Sequence, residues 1–110
     1  MTEFCMVYVP TPDEETGIKI AKAAVGERLA ACANLFAPGV SVYEWDGNIC
    51  IESERILLLK TASEAYPRLA ARIRELHPYS IPAILKLPIL DANTDYFDWM
   101  RNILNPTARV

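Results

Sequence analysis

Apolar residues along this chain follow two periods, and the switches between them divide it into elements. Phe4 to Val9 reads FCMVYV, a β-branched and aromatic run that predicts a strand ending at Pro10. Ile18, Ala21, Val25 and Leu29 then recur at helical spacing, which predicts a first helix from Asp13 to about Glu27. Its start is read from TPDEE. Thr11 serves as the N-cap, Pro12 takes the first helical position, and Glu14 closes a capping box, with the acids near the positive end of the helix dipole.

From Asn34 the period shortens. Val40, Val42, Tyr43 and Trp45 predict a strand running to Trp45, with Pro38-Gly39 as a bend or bulge near its start. Asp46-Gly47 between two strand-like runs is a hairpin signal. The return strand is read from Asn48 to Thr61, and its Ile56-Leu57-Leu58-Leu59 is apolar without alternation. Ser63 to Leu76 reads as a second helix with the stripe Tyr66, Leu69, Ile73 and Leu76. Pro67 is tolerated in its first turn, and Pro78 ends it, because the residue before a proline avoids the helical region. Ala83 to Leu87 predicts a fourth strand. Asn93 or Thr94 caps a last helix carrying Tyr96, Trp99, Met100 and Ile103, which Asn105-Pro106 stops.

The order β-α-β-β-α-β is the split βαβ pattern, so the fold expected is a ferredoxin-like α+β sandwich with an antiparallel sheet and an extra C-terminal helix. Two main helices cover one face of such a sheet. In the first strand, however, Cys5, Val7 and Val9 point one way while Phe4, Met6 and Tyr8 point the other, and both sets are apolar. The run Ile56 to Leu59 is apolar on both sides too. A face left open in this way marks an interface, so a homo-oligomer is expected, with a second sheet or the last helix covering the other face.

Composition narrows the function. The chain has 110 residues, which suits one domain spanning residues 1–110. It is 52% hydrophobic and 23% charged with a formal net charge of −3, which argues against nucleic acid or an anionic membrane as partner. Arg68, Arg72 and Arg74 lie beside Glu64 and Glu75 and read as a solvated helix face. MTEFCMVYVP lacks the basic start and cleavage site of a signal peptide, and three cysteines without a close pair give no disulfide framework. A cytoplasmic protein is the expectation. No phosphate loop, Ser-His-Asp pattern or second histidine is available, so no enzyme is expected and no cofactor is required.

Several segments are those of a known family. RLAACANLFAPGVSVYEWDGNI (Arg28 to Ile49), ESERILLLKT (Glu52 to Thr61), HPYSIP (His77 to Pro82) and DYFDWM (Asp95 to Met100) stand in one order and spacing. In these the chain resembles the CutA family of divalent-cation-tolerance proteins. The resemblance implies a ferredoxin-like subunit in a homotrimer, built like the PII signal transducers, with a role in tolerance of, or response to, divalent metals, notably copper. It departs from the family at His-Pro-Tyr-Glu-x-Pro-Glu, where Ser80 and Ala83 replace the two acids.

Two sets of residues are candidates for chemistry. Imidazole and thiolate suit copper, which makes His77, Cys32 and Cys50 possible metal ligands. Set against this, His77 sits where it would cap the second helix, and a free cysteine such as Cys5 or Cys32 is more often a small buried hydrophobe. The other set is Glu54 and Lys60, six apart on one strand face, with Tyr43, Trp45 and Tyr79. These read either as a structural ion pair at the trimer interface or as a cleft between subunits. The cleft would bind a small anion or other ligand, with charge from Lys60 and walls from the aromatics.

Overall fold

The computed structural model describes residues 2–105. The elements are β1 (Phe4–Thr11), α1 (Glu14–Gly26), β2 (Cys32–Leu35), β3 (Gly39–Trp45), β4 (Asn48–Ala62), a 3-10 turn (Ser63–Ala65), α2 (Tyr66–Leu76), β5 (Leu85–Pro88) and α3 (Thr94–Leu104). The sheet is antiparallel in the order β2-β4-β1-β5, and β3 also pairs with β4. With β2 and β3 taken as one interrupted strand, this is the ferredoxin-like arrangement expected, and α3 is the added helix. The fourth strand starts at Leu85 rather than Ala83, because the Ile84 carbonyl accepts from the Tyr66 hydroxyl at 2.7 Å and its side chain packs into the core.

Two expectations at the β1–α1 junction are corrected. The strand runs through Pro10 to Thr11. The Pro10 carbonyl points away from β4 to the His77 ring, so its missing N–H falls on the side where β5 has already ended at the Tyr8–Leu85 pair. Thr11 is not the N-cap. It is buried in the sheet, and its hydroxyl donates to the Arg55 carbonyl at 2.9 Å. The cap is Asp13, whose carboxylate accepts from the Thr16 N–H at 2.8 Å.

That backbone hydrogen bond holds the Asp13 carboxyl below the usual carboxylate range. A depressed folded value means the cap contributes stability above the unfolded pKa and loses it as pH falls through the folded one. Asp13→Ala should therefore lower the melting temperature at about pH 7, and the gap should close by about pH 2. Thermal melts followed by circular dichroism at both pH values check this. A gap that persists in acid would assign it to packing.

The main core lies between the sheet and the first two helices. Cys5, Val7 and Val9 of β1 and Leu57 and Leu59 of β4 meet Ile20, Ala24, Leu69 and Ile73. The buried face of α1 is Gly17, Ile20 and Ala24, whereas the predicted stripe members Ile18 and Val25 are exposed. Close approach decides this: a Cβ on Gly17 would stand 2.7 Å from Leu35 Cδ1, so the helix turns its smallest residue to the sheet. In α3, Met100 is buried with Phe4 and Ala31, and Phe97 packs there in place of the predicted Trp99, which is exposed. Arg101 fastens this helix to the start of β1 by two hydrogen bonds to Glu3, at 2.7 and 2.8 Å. Asn105 follows the helix as its C-cap, and Pro106, read as part of the stop, lies outside the described residues. Arg68 and Arg72 are paired with Glu64, Glu27 and Glu75, as a solvated helix face requires.

The opposite sheet face is covered only at its Phe4 end. Met6, Tyr8 and Leu58 remain half-buried, while Leu85 and Leu87 are 53% and 41% exposed. Beyond the core, β3 and β4 continue as a two-stranded ribbon closed by Asp46 and Gly47, whose φ values of 51° and 78° suit a type I′ turn. One ribbon face carries Val40, Val42, Ile49 and Ile51, each exposed by 64–71%. Between β2 and β3, three residues, 36–38, stand against only Arg55 and Ile56. This is the bulge expected near Pro38-Gly39.

Candidate functional site

His77 is the C-cap of α2, and its backbone N–H reaches the Ile73 carbonyl at 2.8 Å. Its ring is only 6% exposed, and both nitrogens are engaged. Nδ1 lies 3.2 Å from the Tyr79 N–H and must accept. Nε2 lies 2.8 Å from the Pro10 carbonyl and must donate. A neutral ring protonated on Nε2 satisfies both partners and has no lone pair left for a metal.

The other two metal candidates lie elsewhere. Cys32 stands opposite Lys60 with its Sγ 3.9 Å from Asn34 Oδ1, and it is half-buried rather than a core residue. Cys50 stands opposite Tyr43 on the ribbon. Cys5 is fully buried, as a small hydrophobe would be. Among the described residues, no three His, Cys, Asp or Glu side chains are grouped so as to hold a metal ion.

The second set does converge, with one exception. Tyr43, Trp45, Cys50, Glu52, Glu54, Tyr79, Ser80, Ile81 and Ala83 line a groove of about 460 Å³. Strand parity builds its floor: Cys50, Glu52 and Glu54 alternate along one face of β4, and Tyr43 and Trp45 flank them from β3. The segment after α2 supplies the remaining wall. The Tyr79 hydroxyl donates to Glu54 Oε2 at 2.6 Å, and the Tyr43 hydroxyl to Glu52 Oε1 at 3.3 Å. Burial and the Glu54 hydrogen bond push the Tyr79 phenol well up, so it keeps its proton. Partial burial and the Glu52 charge raise Tyr43 as well.

The exception is Lys60. It shares the strand face of Glu54 but stands about 20 Å further along β4. Its ammonium lies 3.2 Å from the Tyr96 hydroxyl and 5.2 Å from that ring's centre. Glu54 and Lys60 therefore make no ion pair within one chain. Glu52 was missed in the sequence, although its position two residues before Glu54 places it on the same face. Ser80 and Ala83 sit on the groove wall, so the departures noted in the sequence are departures at this site.

Comparison with known proteins fits this architecture. The profile of the family described as CutA1 divalent ion tolerance protein matches residues 5–103. The chain belongs to the CutA1 family. Over 96 residues it is 45% identical to the divalent-cation tolerance protein CutA of Thermus thermophilus, covering 87% of this chain and 93% of that one. The solved structure of the Thermus thermophilus CutA1 protein superposes with a TM-score of 0.85 at 43% identity, over 88% of this chain and 94% of that one. Human protein CutA is 38% identical over 96 residues, but the chain spans only 54% of its length.

Proposed function

We propose that this protein serves divalent-cation tolerance as a homotrimer, and that its working site is the groove rather than a dedicated metal centre. The observation that carries the reading is the contrast between the two candidate sets. Four of the five expected cleft residues, Tyr43, Trp45, Glu54 and Tyr79, meet in one groove, whereas the His77 ring is consumed by Pro10 and Tyr79. The tolerance role comes from the related proteins' names. Trimerisation is supported by the open apolar sheet face and by the apolar ribbon face, which a single chain leaves in water. A small ligand bound between copies, as in PII-like modules, would make the protein a responder and not an enzyme. Three unpaired cysteines support a cytoplasmic setting.

Copper contact on this reading is weak and involves the groove. A cuprous ion there meets the Cys50 sulfur beside the Glu52 and Glu54 carboxylates, a set too spread along the strand to close around it. Calorimetric titration of the reduced, metal-free protein with copper(I) and copper(II) tests this. Affinity no tighter than about micromolar, or about 8 kcal/mol, is expected, lowered further by Cys50→Ser. Tight one-to-one binding abolished by His77→Ala would overturn the reading.

A further inference from the structure

The groove has an unbalanced charge. Glu54 is 8% exposed, and among the described residues its side-chain partner is the neutral Tyr79 hydroxyl. Glu52 likewise leans on the neutral Tyr43 hydroxyl. The cations nearest along the strand are committed elsewhere: Arg55 faces Glu14 at 3.9 Å, and Lys60 is turned to Tyr96. Among the described residues, neither glutamate takes part in an ion pair. Holding the Glu54 carboxylate out of water without a counter-charge is costly, so the site is electrostatically incomplete.

The walls specify what completes it. Tyr43, Trp45 and Tyr79 line the groove beside the two acids, and aromatic rings attract cations electrostatically. Ile81 and Ala83 supply an apolar flank. A bare divalent ion needs several oxygen ligands at close range, and no such grouping of three acidic, histidine or cysteine side chains occurs among the described residues. An organic ammonium ion suits the walls better. Its N–H groups would donate to the carboxylate oxygens that the tyrosines leave free, and its carbon body would lie on the aromatics. The volume of about 460 Å³ is that of a small-molecule site.

We infer that the groove bounded by Tyr43, Trp45, Glu52, Glu54 and Tyr79 binds a small organic ammonium ion with an apolar body. The inference rests on the groove being the working site, and it departs from the sequence reading, in which Lys60 supplied charge for a small anion or other ligand. Ser80 and Ala83 on the groove wall are uncharged, which fits a monocation with a hydrophobic part.

The test is calorimetric titration of the assembled protein with phenethylammonium, phenethyl alcohol and phenylacetate. Saturable binding of the ammonium at least tenfold tighter than either neutral or anionic counterpart is expected. Glu52→Gln, at an exposed position, should weaken it about tenfold without changing the melting temperature. Equal binding of the alcohol, or tighter binding of phenylacetate, would leave the groove a ligand site but overturn its cation class. Silence from all three probes would overturn both. Ammonium binding that emerges only in Lys60→Ala would mean that a neighbouring copy's lysine already fills the site, and this also overturns the inference.

Discussion

His77→Ala should lower the stability of the fold by about 3 kcal/mol while leaving copper affinity unchanged. The ring is buried and makes two hydrogen bonds, one joining the segment after α2 to the end of β1 and one fixing the Tyr79 backbone two residues on. Removing it strands the Pro10 carbonyl and the Tyr79 N–H, each costing about 1–3 kcal/mol if it stays dry, and opens space the size of an imidazole. His77→Gln retains an amide donor for Pro10 and should lose less. Urea denaturation of the three proteins gives the comparison. A His77→Ala variant as stable as the parent would show that the ring's hydrogen bonds carry little, and a loss of copper binding alone would reinstate it as a ligand.

Leu85→Lys should turn the expected trimer into monomers at micromolar concentration. In a single chain Leu85 is 53% exposed, so a lysine there would disturb the subunit by no more than about 0.5 kcal/mol. Its neighbours across the strand pair and on the same face are Tyr8, Leu58 and Leu87. If another copy covers this face, the ammonium is forced out of water with no carboxylate to meet it, at a penalty of several kcal/mol. Sedimentation velocity and circular dichroism together separate the two outcomes. A monomeric parent would remove the basis for the trimer, and a variant that stays trimeric would move the interface elsewhere, to the ribbon face of Val42 and Ile51.

Most of the element order was legible because it rests on period and punctuation. The Asp46-Gly47 turn, Pro67 in a first helical turn and the stripe Leu69–Ile73 all work locally, and each was found. What escaped the sequence depended on partners far along the chain. Thr11 has the chemistry of an N-cap, but the Arg55 carbonyl, 44 residues away in sequence, takes its hydroxyl. Ile18 and Val25 have the right spacing for a core stripe, yet Leu35 selects the face that carries Gly17. The site shows the same division. Cys50, Glu52 and Glu54 share a face by strand parity alone, which any reader of the sequence can count. That Lys60 would leave them for Tyr96 was decided by where α3 docks, and nothing in the local sequence sets that position.

The bulge at residues 36–38 acts as an indexing device. In β2, Cys32 and Asn34 lie on the sheet face that carries Lys60 and Leu58, whereas in β3 the odd-numbered residues, Tyr43 and Trp45, lie on that face. One extra residue performs the exchange. Without it, Val42 would meet Cys50, and the two aromatics would be carried to the far side of the ribbon, away from Glu52 and Glu54. Phe36, Ala37 and Pro38 can thus be altered in kind more freely than in number. A single deletion among them would leave every groove residue in the chain and still dismantle the groove.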